Sequence, residues 1–228
     1  MADFPFDIVG FDLDGTLIDT SIDLLNATNH ALGLAGRPLL DAAAVKTMVG
    51  RGGKHMLEQA LEASGGYDAA LIDWLHPALL DWYRDHLTDH SQPFPGMRQA
   101  LNALGPMGVK VAIVTNKRED LAVKLIDELG LSARFETIIG GDTMGPGNAK
   151  PSALPIQEMI RRCGGGRAAF VGDSIYDTLA AKNAGVPSVA VSFGFLSQPI
   201  EELGADAIID SFDTLVPALE RLGAALPA

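Results

Sequence analysis

Asp12 and Asp14 stand one residue apart in Phe11-Asp12-Leu13-Asp14-Gly15-Thr16-Leu17, directly after an apolar run from Phe6 to Phe11 that reads as a buried strand. Successive residues of a regular strand face opposite sides, so both carboxylates reach one crevice only where the chain curls away from the strand end. Gly15 permits a tight turn there, and Thr16 adds a hydroxyl and a backbone N–H. In open α/β sheets that carboxyl edge is where ligands bind. Acids so placed can serve as nucleophile, metal ligand or proton shuttle. The same residues also suit an Asp turn in which Asp14 caps the following helix.

Later stretches offer partners. Val114-Thr115-Asn116-Lys117 brings a hydroxyl and an amide to the end of a second apolar run. Lys150 lies in Gly147-Asn148-Ala149-Lys150-Pro151, a loop before a helix that Pro151 is expected to start. Val171-Gly172-Asp173-Ser174-Ile175-Tyr176-Asp177 delivers a second acid pair at the head of a helix. Each has an ordinary reading too: threonine favours strands, a lone loop lysine is usually solvated, and Asp173 or Asp177 can cap a helix.

The elements that must position these groups follow from hydrophobic patterning. Runs rich in Val, Ile and Ala recur at 7–11, 109–115, 137–139, 168–171, 188–191 and 207–209. Near-continuous apolar runs predict parallel strands covered on both faces. Amphipathic segments over 98–104, 119–129, 151–163, 176–184 and 212–222 fall between them, so the chain reads as an α/β fold with a doubly wound parallel sheet. From about Thr20 to His86 the pattern is helical, marked by Ile22, Leu25 and Leu32, by Met56, Leu57, Ala60 and Leu61, and by Ile72, Leu75, Leu79 and Trp82. Crossovers are usually short, so this stretch predicts an inserted helical subdomain with hinges at 17–19 and 91–96.

Composition narrows the function classes. The 228 residues suffice for a substantial core, and 47% hydrophobic with 20% charged residues argues for a folded globule. A formal net charge of −12 disfavours nucleic-acid binding and docking on anionic membranes. An anionic ligand is repelled at long range, so its site must supply positive charge locally. Cys163 is the only cysteine, which excludes an internal disulfide and zinc clusters and leaves buried filler as its expected role. Neither a secretory leader nor a membrane span is read, so a cytoplasmic location is expected.

The ordered set Asp12-x-Asp14-Gly-Thr, Thr115, Lys150 and Gly172-Asp173-x3-Asp177 resembles the haloacid dehalogenase superfamily over nearly the whole chain, and the helical insert resembles its type 1 cap. The resemblance implies a Rossmann-like catalytic core over residues 1–16 and 92–228, with the cap over 17–91. It also implies Mg2+-dependent phosphoryl transfer, in which a hard cation offsets the repulsion between a carboxylate nucleophile and a phosphate dianion. By the family pattern Asp12 is the nucleophile and a metal ligand, Asp173 a metal carboxylate, and Asp14 a ligand through its backbone carbonyl. Asp177 is a further ligand or a support beside the ion. Thr115 and the Asn116 backbone bind phosphate oxygens, and Lys150 sets its cation against Asp12 and the transferring group. Asp14 also protonates the leaving alkoxide and then deprotonates the attacking water. Dehalogenating members lack that second acid, so its presence points to a phosphatase.

Val49-Gly50-Arg51-Gly52-Gly53-Lys54-His55 falls between two expected cap helices, and its glycines let the backbone approach a ligand. Arg51 suits bidentate binding of a substrate carboxylate and equally suits an exposed basic turn. With Phe94-Pro95-Gly96-Met97, Gly185-Val186-Pro187 and the 204–210 tail, the chain most resembles bacterial phosphoglycolate phosphatases, which implies a small phosphorylated metabolite, 2-phosphoglycolate, as substrate. Related phosphatases acting on sugar phosphates, nucleoside monophosphates or pyrophosphate stay open, as does a monomer or homodimer. Mutase relatives carry a histidine in the first cap helix where this sequence has Leu24-Leu25, with His30 more than a turn later. Phosphonate-cleaving relatives use a cap lysine, for which Lys46 and Lys54 are the candidates. A signalling receiver domain also combines acids, a hydroxyl and a lysine, but it lacks a helical insert after its first strand.

Overall fold

The computed structural model of the chain describes residues 4–42, 44 and 48–225, so Lys46 lies outside the described residues. In chain order its strands are β1 (Ile8–Phe11), β2 (Ile18–Asp19), β3 (Gln92–Pro93), β4 (Lys110–Val114), β5 (Thr137–Ile139), β6 (Ala168–Gly172), β7 (Ser188–Val191) and β8 (Ala207–Ile209). Its helices are α1 (Ser21–Leu34), α2 (Gly53–Ala63), α3 (Ala69–Asp85), α4 (Met97–Leu104), α5 (Glu119–Glu128), α6 (Leu154–Arg162), α7 (Ile175–Ala184) and α8 (Leu215–Ala225).

The main sheet runs β5–β4–β1–β6–β7–β8, and every pairing in it is parallel. Each apolar run is buried because both faces are covered. Ile8 of β1 packs with Val114, Ile156, Met159 and Phe170, whereas Val9 and Phe11 pack with the core on the opposite face. Gly10 in the same strand lets Met159 and Phe170 pack close: a Cβ there would lie 2.3 Å from Met159 Sδ and 2.8 Å from the Phe170 ring, and both would have to give way. Cys163 is buried in the Ile8 cluster, as filler would be. The chain winds from β1 outward to β5 on one side and from β6 to β8 on the other, so the crevice opens at the carboxyl ends of β1, β4 and β6.

Two local expectations are corrected. The sixth helix starts at Leu154, not at Pro151. Pro151 and Ser152 lie in a turn, the Ser152 hydroxyl accepts a hydrogen bond from the Leu154 amide, and Pro155 occupies the first helical turn where a missing N–H costs nothing. The 212–222 segment divides into a 3-10 turn at Phe212–Thr214 and then α8, because the Ser211 side chain caps the Asp213 amide and starts the turn early.

Helices α1, α2 and α3 form one layer between β2 and β3, with α1 and α2 both packed on α3. Where this insert leaves and rejoins the sheet, β2 and β3 pair antiparallel over two residues each, too short for any periodicity to reveal. Asp23 of α1 clasps the return strand: its carboxylate accepts from the His90 amide (3.0 Å), the Ser91 amide (2.8 Å) and the Ser91 hydroxyl (2.7 Å). Asp23→Ala would leave those donors, the buried Ser91 pair above all, without their acceptor. The expected cost is about 2 kcal/mol, or roughly a 4–8 °C drop in Tm for a chain of this size. A thermal melt moving by less than one degree would remove the clasp from the account of stability. No helix among the described residues is long and apolar enough to cross a membrane.

Candidate active site

The turn after β1 does what the Asp-x-Asp-Gly spacing requires. The amides of Thr16, Leu17 and Ile18 all turn to the Leu13 carbonyl, at 3.3, 3.0 and 3.0 Å. That curl carries Asp12 and Asp14 to the same cavity instead of opposite faces of the sheet. Gly15 sits at φ +81°, and a Cβ on it would come within 2.2 Å of an Asp173 oxygen. Here glycine is demanded twice, by the backbone angle and by the approach of the β6 end.

Lys150 is fully enclosed between two acids. Its ammonium lies 2.8 Å from Asp12 Oδ1 and 2.5 Å from Asp177 Oδ1. The other Asp177 oxygen accepts from the amide (2.9 Å) and hydroxyl (2.5 Å) of Ser174, closing a capping box at the head of α7. The capping reading of Asp177 therefore holds, and the residue also grips Lys150. Asp173 accepts from the Phe195 amide at 2.6 Å and from the Thr16 hydroxyl at 3.3 Å.

One oxygen each from Asp12, Asp173 and Asp177 gathers within 4.8 Å of the others, all three residues buried. Burial pushes the Asp12 carboxyl up to about 7, with the Asp177 charge adding and Lys150 opposing. Asp173 is pushed well above the usual carboxylate range by burial and then by Asp177 and Asp12. Burial alone would lower the Lys150 ammonium, yet the two carboxylates beside it raise it overall. Three buried acids thus share one lysine, whose ammonium already serves both Asp12 and Asp177. An additional cation is what this arrangement lacks. Closely spaced hard oxygens suit a divalent ion such as Mg2+.

Asp14 faces a different partner. Lys117 Nζ lies 2.8 and 3.0 Å from its two oxygens, and the Thr20 hydroxyl donates to it at 2.7 Å. The same ammonium donates to Tyr83 Oη of α3 at 2.8 Å. Burial works to lower Lys117, but Asp14 and Tyr83 raise it, so it stays charged. In the sequence Lys117 stands out only as the neighbour of Asn116, and nothing in the spacing marks Tyr83; adjacency to a candidate phosphate-binding pair is the one available signal.

Thr115 is buried at the end of β4, its hydroxyl accepting from the Lys117 amide at 3.2 Å. Asn116 bridges the layers: its side-chain amide donates to the Gly50 carbonyl at 2.9 Å and to the Lys150 carbonyl at 3.1 Å. The glycine loop before α2 therefore rests on the sheet edge in this structure. Arg51 in that loop is exposed, with its guanidinium 5.5 Å from the centre of the Tyr176 ring. A cavity of about 230 Å³ lies between the layers, lined by Asp12, Asp14, Thr115 and Asn116 below and by Arg51 and Lys54 above. Asp173, Asp177 and Lys150 stand behind Asp12 and do not line it.

The model of the haloacid dehalogenase-like hydrolase family matches residues 9–191. A phosphoglycolate phosphatase of Caulobacter vibrioides is 41% identical over 223 residues, covering 96% of this chain and 93% of that protein. One of Agrobacterium fabrum is 41% identical over 212 residues, covering 92% and 90%. Among solved structures, a predicted phosphoglycolate phosphatase from Haemophilus somnus 129pt is 26% identical with a TM-score of 0.87, covering 94% of this chain and 98% of its own.

Proposed function

Because the chain belongs to the haloacid dehalogenase-like hydrolase family, we propose that it hydrolyses a small phosphate monoester, 2-phosphoglycolate before others, through an aspartyl-phosphate formed on Asp12. The observation that carries this reading is the buried cluster of Asp12, Asp173 and Asp177 oxygens, three acids served by the single Lys150 ammonium.

Asp12 attacks phosphorus, and the bond to the ester oxygen breaks as Asp14 gives that oxygen its proton. Water then attacks the phosphorylated Asp12 while Asp14 takes a proton back, releasing phosphate. Thr115 and the Asn116 backbone N–H hold phosphate oxygens at the sheet edge. Lys150, kept in place by Asp177, offsets charge on Asp12 and the transferring group. Asp12, Asp173 and the Asp14 backbone carbonyl would hold Mg2+, which neutralises the phosphate dianion. We assign Asp177 to Lys150, since one of its oxygens pairs directly with that ammonium and the other closes the capping box with Ser174. Apolar Leu24 lines the cavity and offers no proton, which supports hydrolysis over phosphomutase chemistry. Arg51 meets the substrate carboxylate, and the loop carrying it screens the reaction from bulk water.

Phosphate release from a panel of esters tests the proposal. With Mg2+ the enzyme is expected to favour 2-phosphoglycolate over hexose phosphates, nucleoside monophosphates and pyrophosphate, and chelation should silence it reversibly. The raised Asp12 adds a sign: Mg2+ competes with a proton there, so its affinity should strengthen as pH rises across about 7. Activity indifferent to chelation would sink the metal assignment, and equal rates on all esters the substrate.

A further inference from the structure

The chain carries a net charge of −12, yet its central cavity is lined by Arg51, Lys54, His76, Lys117 and Arg118 against only Asp12 and Asp14. Two of those bases are already neutralised. Lys117 pairs with Asp14 at 2.8 Å, and Arg118 pairs with Asp120 at 3.1 Å and Asp142 at 3.7 Å. Lys54 and His76 differ: among the described residues neither makes a hydrogen bond or ion pair, although both face the cavity, one from the first turn of α2 and one from α3. Lys54 is exposed and His76 half-buried, so neither is spent on a protein partner and both are free to meet an anion entering the cavity.

We propose that Lys54 and His76 form, above the Asp12 side of the cavity, a second anion subsite that takes the carboxylate of a short phosphorylated acid. This rests on the phosphatase reading and deepens it by adding two specificity-determining residues on separate helices to Arg51. A cavity of about 230 Å³ is smaller than the roughly 300–1,000 Å³ of drug-sized pockets, which fits a short acid chain between the two subsites. Esters that end in a methyl or hydroxyl leave the upper cations unpaired, so discrimination comes from an unsatisfied charge and not from size.

The state of His76 supports the same geometry. It is half-buried, and burial, then Lys54 of α2 and Arg118 of the loop after β4, push its pKa below the ordinary histidine value, with only Glu58 of α2 pulling the other way. A carboxylate placed between Lys54 and His76 reverses that balance and favours the imidazolium. Carboxylate binding therefore takes up a proton and strengthens as pH falls.

The test compares 2-phosphoglycolate with ethyl phosphate, which shares the phosphate and two-carbon chain but lacks the carboxylate, at saturating Mg2+. In Lys54→Met and His76→Gln the ratio of kcat/KM for the two substrates is expected to fall about 10- to 100-fold, chiefly through KM for 2-phosphoglycolate, as loss of a charged hydrogen bond predicts. In the parent enzyme that ratio should climb as pH is lowered below 6.5, and the climb should vanish in His76→Gln. Protonation of the phosphate affects both substrates alike and cancels in the ratio. Lys54 is exposed, so Lys54→Met keeps the test open should His76→Gln fold poorly. A preserved ratio in a folded Lys54→Met overturns the subsite while leaving the phosphatase reading intact. A parent enzyme inactive on both esters overturns that reading and the subsite with it.

Discussion

Asp12→Asn is expected to lower phosphate release by roughly 10⁴-fold or more, the scale on which removal of a covalent nucleophile acts. The amide cannot form the acyl phosphate, and neither Asp173 nor Asp177 can take over. Asp173 is held by the Phe195 amide, and Asp177 by Ser174 and Lys150. The fold should tolerate the change. Burial already penalises charge at Asp12, and Lys150 keeps Asp177 as its counter-ion, so no uncompensated charge is left inside. The melting temperature should hold within about 3 °C, equivalent to roughly 1 kcal/mol here. Substantial residual turnover in a variant shown by mass to be fully Asn would place the nucleophile elsewhere.

Asp14→Asn gives the second large effect, and its signature is dependence on the leaving group. For 2-phosphoglycolate the departing alkoxide needs a proton, so kcat/KM should fall about 10²- to 10⁴-fold. For 4-nitrophenyl phosphate the nitrophenolate leaves without one, so kcat/KM, which reports events through the first irreversible step, should fall far less. Turnover at saturation should drop for both, because both share the hydrolysis of phosphorylated Asp12 and its need for a base. Equal losses in kcat/KM on the two esters would take Asp14 out of the acid role and leave it a structural partner of Lys117 and Thr20.

Much of this architecture could be read from residue order. Thr137–Ile139, Ser188–Val191 and Ala207–Ile209 are strands over the bounds that their apolar runs predict, since a strand buried on both faces needs no partner's identity to be recognised. The inserted helices likewise follow from their apolar spacing, as Met56, Leu57, Ala60 and Leu61 buried on one face of α2 illustrate. The β2–β3 pair was hidden, because two residues carry no period. So was the start of α6, where two prolines compete and only Pro155 meets a free helical turn.

The candidate site divides the same way. The acid pair, the turn at Gly15, and the order of Thr115, Lys150 and Asp173 along successive strand ends are properties of spacing, governed by short-range backbone sterics that act within a few residues. Which charge answers which is not. Lys117 meets Asp14 across 103 positions and Tyr83 across 34, Asp23 meets Ser91 across 68, and Lys54 and His76 come to one cavity from different helices. Coulomb and hydrogen-bond energies depend on distance in space and on burial, and both quantities exist for these side chains only once the sheet and the helical layer have closed on each other.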